Sequence, residues 1–168
     1  MVIAAKGDLI RPSLLDRLTD DEPRAVFEPP HSYSFSLSQI RALILRDLSW
    51  LLNTTQLAAT IDLKSYPHVA ASTLNYGVCP LGGHIIDGPD TAALGQEIAA
   101  SLRRFEPRLL ADSVSVTILK DADSIGSLGF KIEAHFWAQP VPLRIVVRTD
   151  LDPEREIVRI VKLAAEIT

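Results

Sequence analysis

A short charged motif, Glu106-Pro107-Arg108, has the residue types and spacing best suited to chemistry in this sequence. Pro107 disfavours helical geometry at Glu106, so a helix approaching from Thr91 is predicted to end near Phe105. If the chain is extended after that point, Glu106 and Arg108 project to the same side as an opposite-charge pair. Two interpretations are open: an ion pair that stabilises a corner between helix and strand, or a surface that binds a partner.

Glu106 is also the candidate for a general acid. Glycosidase chemistry requires a second carboxylate, for which Asp112 and Glu133 are available, and a raised pKa on one of the two. The positive charge of Arg108 would lower the pKa of Glu106 instead. The sequence therefore favours a structural anion in a non-enzymatic protein, and a glycosidase is the alternative.

Metal, nucleophile and phosphate chemistry have weak support. The residues 121–123 begin like a calcium loop, but Ile132 stands where the closing Glu belongs. Cys79 lacks a local context for a nucleophile, and the Gly82-Gly83 pair lacks the rest of a phosphate-binding motif. The histidines are scattered and lack the spacing of a zinc site: His31, His68, His84 and His135. No cofactor or metal is expected.

The composition is that of a globular protein of 168 residues, 47% hydrophobic and 23% charged. A net charge of −4 argues against a nucleic-acid surface, because phosphate binding needs clustered Lys and Arg. The single cysteine excludes an internal disulfide and favours a reducing compartment. Neither a signal peptide nor a spanning helix is predicted, so we expect a cytoplasmic protein without membrane insertion.

The first 33 residues are predicted to form a short helix, 12–18, followed by an extended arm rich in acidic residues and proline. Leu14, Leu15 and Leu18 make an apolar stripe on this helix. We expect the stripe to pack on the protein's own core, with docking on a neighbouring protein as the alternative.

Three further helices are predicted in the residues 34–105. A capping box at Ser36 begins an apolar helix that reaches Leu52 and serves as the core helix, unless its second face packs on another subunit. Pro67 begins a short helix that ends before Gly77. Asp90 caps an amphipathic helix that leads to the Glu106 corner.

Alternating apolar residues predict three strands, at 114–119, 128–136 and 143–149, with short loops between them. The predicted fold is therefore α+β, with helices packed on one face of a three- to four-stranded antiparallel meander. The residues 34–152 form one domain. The tail, 153–168, fits both a strand and a helix and slightly favours a helix.

Four motifs occur in an order typical of one known family: 12–18 (PSLLDRL), 45–53 (LRDLSWLLN), 72–77 (STLNYG) and 105–109 (FEPRL). Together they resemble the TssE family of type VI secretion baseplate subunits, related to the wedge protein of contractile phage tails. The resemblance covers residue 12 to about residue 152, and the tail has no counterpart in it.

The resemblance implies a baseplate wedge subunit on the inner face of the bacterial inner membrane. Its implied partners are the wedge proteins TssF, TssG and TssK and the sheath proteins TssB and TssC. Glu106, Pro107 and Arg108 would hold the subunit to the wedge core. Some family members have been labelled lysozyme-like, so a peptidoglycan hydrolase is the alternative function that the resemblance implies.

The resemblance also implies that sheath termini add to a sheet edge, where unpaired backbone groups accept another strand. The expected edge strand is either 143–149 or 114–119. The corresponding sheath-binding positions are Val114, Val116, Ile118, Leu143, Ile145 and Val147.

Overall fold

The computed structural model describes residues 13–19, 23–24, 37–81, 90–120, 128–136, 143–152 and 157–167. The helices are α1 (Leu14–Leu18), α2 (Leu37–Leu52), α3 (Pro67–Ala70) and α4 (Asp90–Phe105). The strands are β1 (Ser115–Lys120), β2 (Leu128–Phe136), β3 (Leu143–Asp152) and β4 (Ile157–Ile167). Short 3-10 helices lie at Leu57–Ala59, Thr73–Asn75 and Ala111–Ser113.

The four strands form one antiparallel sheet in the order β1-β2-β3-β4. Helix α4 lies against β1 and α2 lies against β4, so both long helices cover the same face. The predicted α+β fold is confirmed. The core between the layers contains Ile44, Leu48, Ile98, Leu102, Phe130, Ile132, Phe136 and Val147.

The tail is a strand, so the preference for a helix was wrong. The tail contains the β-branched residues Ile157, Val158, Ile160 and Val161, which suit a pleated surface. Val158 is buried and Ile160 packs against the core, whereas Val161 is exposed. As a strand, the tail makes a ladder of backbone hydrogen bonds along the side of β3 that β2 does not occupy. A helix could not make these bonds, so the pairing favours the strand.

The expectation that β3 is an edge strand was also wrong. The pairing of β4 with β3 places Leu143, Ile145 and Val147 on an interior strand, with β2 on its other side. The side chains of Ile145 and Val147 are buried in the core. An added strand has no access to β3. The other expected edge, β1, does lie at the margin of the sheet.

Helix α1 forms as predicted, with Ser13 accepting a hydrogen bond from the amide of Asp16 in a capping box. The prediction that its leucines pack on the core was wrong, because Leu14 is 70% and Leu18 is 73% exposed. The side chain that turns inward from this short helix is that of Asp16, which is buried. Helix α1 is therefore attached through a charge.

Asn75 and Gly77 fix the conformation of the chain that follows α3. The Asn75 side chain accepts from the amide of Ala58 and donates to the carbonyl of Ala70. Gly77 has φ of 127°, and a Cβ there would lie 2.3 Å from the Thr54 carbonyl oxygen. Only glycine suits this close approach. The helix predicted from Pro67 is shorter than expected and ends at Ala70.

Several sequence predictions concern residues outside the described part of the chain. These are the Ser36 cap, the Gly82-Gly83 pair, the calcium-like loop at 121–123, and His31 and His84.

Candidate functional site

The Glu106 corner is a tight turn at the end of α4. The amide of Glu106 makes the last helical bond, to the carbonyl of Leu102, so α4 ends at Phe105 as predicted. The amide of Leu109 then donates to the carbonyl of Glu106 at 3.1 Å, which closes a turn. The extended geometry predicted for Glu106 to Arg108 was wrong. Leu109 next forms an isolated bridge with Phe136 of β2.

The predicted opposite-charge pair is present, although the turn rather than strand alternation brings it together. Arg108 donates from Nε to Oε1 of Glu106 at 2.6 Å and from Nη2 to Oε2 at 2.6 Å. Its backbone amide also faces Oε1, at 3.3 Å. Glu106 is only 4% exposed, so its carboxylate lies inside the corner and does not face solvent. A two-pronged contact of this kind fixes the orientation of both groups.

The pair belongs to a larger set of ionic contacts that joins three parts of the chain. Arg108 Nη2 also donates to Oδ2 of Asp47 in α2 at 2.5 Å. Asp47 Oδ1 accepts from Nε of Arg46 at 2.8 Å, and Arg46 Nη2 reaches Oδ1 of Asp16 in α1 at 2.7 Å. We call Asp16, Arg46, Asp47, Glu106 and Arg108 the charged cluster.

Contacts within the charged cluster shift the pKa values of Asp16 and Arg108. Burial would lower the pKa of Arg108, but hydrogen bonds and charge from Glu106 and Asp47 outweigh it, so the pKa lies above its usual value. Burial would raise the pKa of Asp16, but hydrogen bonds from Ser13 and Arg46 outweigh it, so that pKa is lowered. Asp16, Arg46 and Arg108 therefore remain charged at neutral pH.

Part of this cluster remains accessible. The side chains of Arg108 and Arg46 are 21% and 29% exposed, and Pro107 at the tip of the turn is exposed. The Arg46 guanidinium lies 4.9 Å from the centroid of the half-exposed Trp50 ring. The corner therefore presents a rigid proline and two cations, whose positions are set by buried carboxylates.

Sequence reasoning found Glu106, Pro107 and Arg108 and missed the other cluster members. Asp16, Arg46 and Asp47 do lie inside two of the four motifs, 12–18 and 45–53. The available signal was the charge itself: each of these residues interrupts a run of leucines and isoleucines, where a charge needs a partner.

The two margins of the sheet differ in access. Backbone groups of an antiparallel strand point alternately toward and away from its neighbour. In β1, the N–H and C=O groups of Val116 point away from β2. A Cβ on Gly95 of α4 would lie 3.2 Å from the Val116 carbonyl oxygen, and Arg103 donates to the Val114 carbonyl at 2.7 Å. Helix α4 thus covers the β1 edge at Val116 and the residue just before the strand, Val114.

The side chain of Asn53 contacts the β4 edge at its start. Asn53, just after α2, donates from Nδ2 to the Val158 carbonyl at 3.0 Å and accepts from the Val158 amide at 2.8 Å. No described strand pairs with the outer side of β4.

Groups that could support catalysis are held in other contacts. Both carboxylate oxygens of Glu106 are bound by Arg108. Hydrogen bonds from Lys131 and Arg144 lower the pKa of Glu133, which is the wrong direction for a general acid. Burial, with a contribution from Glu97, raises the pKa of Cys79 to about 12, so its thiol stays protonated.

The described residues contain neither a metal site nor a membrane-spanning helix. Within those ranges, no group of His, Cys, Asp and Glu side chains is arranged to hold a metal ion. Among the helices of the described part, none has the length and apolarity that crossing a bilayer requires.

Comparison with known protein families gives a match. A family model described as "Baseplate wedge protein gp25" matches residues 38–141, more than half of the chain. The matched region contains three of the four sequence motifs, including Glu106-Pro107-Arg108. Comparisons with curated proteins and with solved structures gave no match.

Proposed function

The chain belongs to the family of baseplate wedge protein gp25, and we propose that it is the TssE-type wedge subunit of a type VI secretion baseplate. It binds the wedge proteins TssF, TssG and TssK and starts the contractile sheath of TssB and TssC. It works at the cytoplasmic face of the inner membrane and catalyses no reaction. The family match over residues 38–141 is the observation that carries the proposal.

The wedge core binds the exposed side of the charged cluster. Support comes from the rigidity of the Glu106 corner, which ionic contacts tie to α1 and α2. A surface that is already ordered loses little conformational entropy when a partner binds. Pro107 offers an exposed apolar tip, and Arg108 retains exposed guanidinium surface for a partner carboxylate or carbonyl.

The matching experiment is co-purification with coexpressed wedge proteins. Arg108→Ala should lose them, but it also leaves the Glu106 carboxylate buried without its cation, at a cost of about 3–5 kcal/mol. Pro107→Ala is the cleaner variant, because it removes exposed surface and keeps both charges. It should reduce co-purification while its unfolding free energy changes by less than about 1 kcal/mol.

Normal wedge binding by a folded Pro107→Ala and a folded Arg108→Ala would contradict the proposal for this corner. A variant outside the charged cluster, Thr117→Ala at an exposed position of β1, is the matched control and should bind normally.

The sheath adds to the sheet at β4. Support comes from comparing the strands: β3 is interior, α4 covers part of β1, and β4 has an outer side that no described strand occupies. β4 is also the longest strand of the sheet, running over Ile157–Ile167. Backbone pairing along such an edge gives affinity that depends little on the partner's side chains.

Ala165→Pro tests this edge, because proline removes one backbone donor. We expect sheath assembly to fail while the wedge proteins still co-purify. Ala165→Val keeps the amide and should assemble sheaths normally. Normal sheath length with Ala165→Pro would exclude β4 as the docking edge and would favour β1 instead.

The hydrolase alternative is tested by turbidity of purified sacculi. We expect no clearing, since Glu106 is bound on both oxygens and Glu133 has a lowered pKa. Clearing that Glu106→Gln abolishes would favour the enzyme.

A further inference from the structure

The first half of the β4 edge is closed by a side chain. The Asn53 carboxamide makes two bonds to Val158, one to its amide and one to its carbonyl. A residue of a neighbouring antiparallel strand would make the same two bonds. Asn53 therefore occupies the position of an added strand at Val158.

The same half of the strand is irregular. Ile160 pairs with Thr149, and Lys162 pairs with Arg148, so the intervening Val161 has no opposite residue. Such a bulge bends the strand and disturbs the ladder, which is one way in which sheet edges resist pairing with other chains. From Lys162 to Ile167 the register against β3 is regular again.

The alternation of the ladder identifies which backbone groups point outward. Val158 faces Asn53, so its partner Leu151 is in a pair that exchanges no hydrogen bonds across the strands. The even-numbered residues of β3 therefore direct their backbone N–H and C=O groups toward β4. Arg148, Val146 and Arg144 are such residues, and their partners are Lys162, Ala164 and Glu166. The backbone groups that point away from the sheet belong to the remaining residues of this segment: Leu163, Ala165 and Ile167.

We propose that β4 is a docking edge of limited length, open over residues 162–167 and closed over residues 157–161, and that Asn53 is the residue that ends the pairing. The segment it accepts is an extended peptide that pairs over about six residues, which is an ordinary strand length. Its register is set by backbone contacts to Leu163, Ala165 and Ile167. This inference rests on the proposed docking of the sheath at β4.

Amide hydrogen exchange, measured residue by residue on the full chain with and without the sheath proteins, tests the proposal. In the unaltered protein, binding should slow exchange at Leu163, Ala165 and Ile167 by about tenfold or more. Exchange at Val158 should be slow before binding and unchanged by it.

Asn53→Ala removes the stop. In the free variant the Val158 amide should exchange several-fold faster, because its acceptor is gone. When the sheath proteins bind, that amide should become protected, because the added strand now extends past the bulge. Asn53→Asp keeps an acceptor for the amide and should leave Val158 protected in the free protein.

Two results would count against different claims. If the amides of 163–167 become protected but Val158 in Asn53→Ala does not, the bulge alone ends the pairing and Asn53 has no such role. If the sheath binds and no β4 amide slows, the docking edge itself is wrong. Asn53 also donates to the Ser49 carbonyl at the end of α2, so Asn53→Ala should also lower the stability of the protein. A loss of stability alone would not change which β4 amides the sheath protects.

Discussion

Arg108 and Asp47 lie 61 positions apart in the chain, and Nη2 of the arginine donates to Oδ2 of the aspartate at 2.5 Å. This contact ties the turn after α4 to the middle of α2. It gives the Glu-Pro-Arg motif a role inside the fold as well as the proposed role at its surface. A partner at this corner would meet groups that the fold has already placed.

Asp47→Ala should lower the free energy of unfolding by about 1–3 kcal/mol, because two guanidinium groups each lose a charged acceptor. Urea unfolding measures the change. Asp112→Ala, at an exposed carboxylate, is the control and should change stability by less than about 0.5 kcal/mol. Equal effects of the two variants would show that the contact between α2 and the corner contributes nothing.

Asp16 should make stability depend on pH. Its pKa is lowered in the folded chain, so the stabilisation is complete above the ordinary carboxyl pKa of about 3.9 and is lost as pH falls below it. The stability difference between the unaltered protein and Asp16→Asn should therefore shrink as pH falls from 7 to 3. A difference that stays constant over this range would contradict the ionic attachment of α1.

Gly77→Ala should destabilise the protein by at least about 1–3 kcal/mol, because φ of 127° is strained for alanine and its Cβ would overlap the Thr54 carbonyl. Thermal unfolding measures the loss. Gly95→Ala is the comparison, since it makes a milder 3.2 Å contact and gains helix propensity of up to about 1 kcal/mol. A larger loss at Gly95 would contradict this assignment of strain.

Cys79 should resist alkylation in the native protein. Its thiol is buried and its pKa is raised to about 12, so little thiolate exists at pH 8. Mass spectrometry after iodoacetamide treatment should find modification only when the protein is unfolded first. Rapid modification of the folded protein would indicate an opening near Cys79 that the fold does not contain.

Local patterns were sufficient for much of this fold. The apolar periodicity of α2 and α4 and the alternation in β1, β2 and β3 predicted elements that the structure contains. Pro107 predicted the end of α4. The pairing of Glu106 with Arg108 was expected, but a turn produces it and not the extended chain assumed from their spacing.

The features that sequence reasoning missed depend on distant parts of the chain. The tail fits two periodicities, and only the free side of β3 selects a strand. The cluster contacts of Asp47 and Asp16 join residues tens of positions apart, which no local spacing reveals. The sequence also could not show that β3 is an interior strand, because β3 is interior only through its pairing with β4. The proposed docking edge is therefore β4 and not β3.

Disulfide cross-linking on purified baseplate and sheath complexes tests most directly whether the sheath pairs with β4. Cysteines are placed at Ala165 on β4 and, in a separate variant, at Thr117 on β1, and each is paired with single cysteines along the sheath termini. Neighbouring strands bring opposite Cβ atoms within about 4.5–5.5 Å, close enough for a disulfide. The account predicts cross-links from position 165 in one register and none from position 117, whereas cross-links from position 117 alone would contradict it.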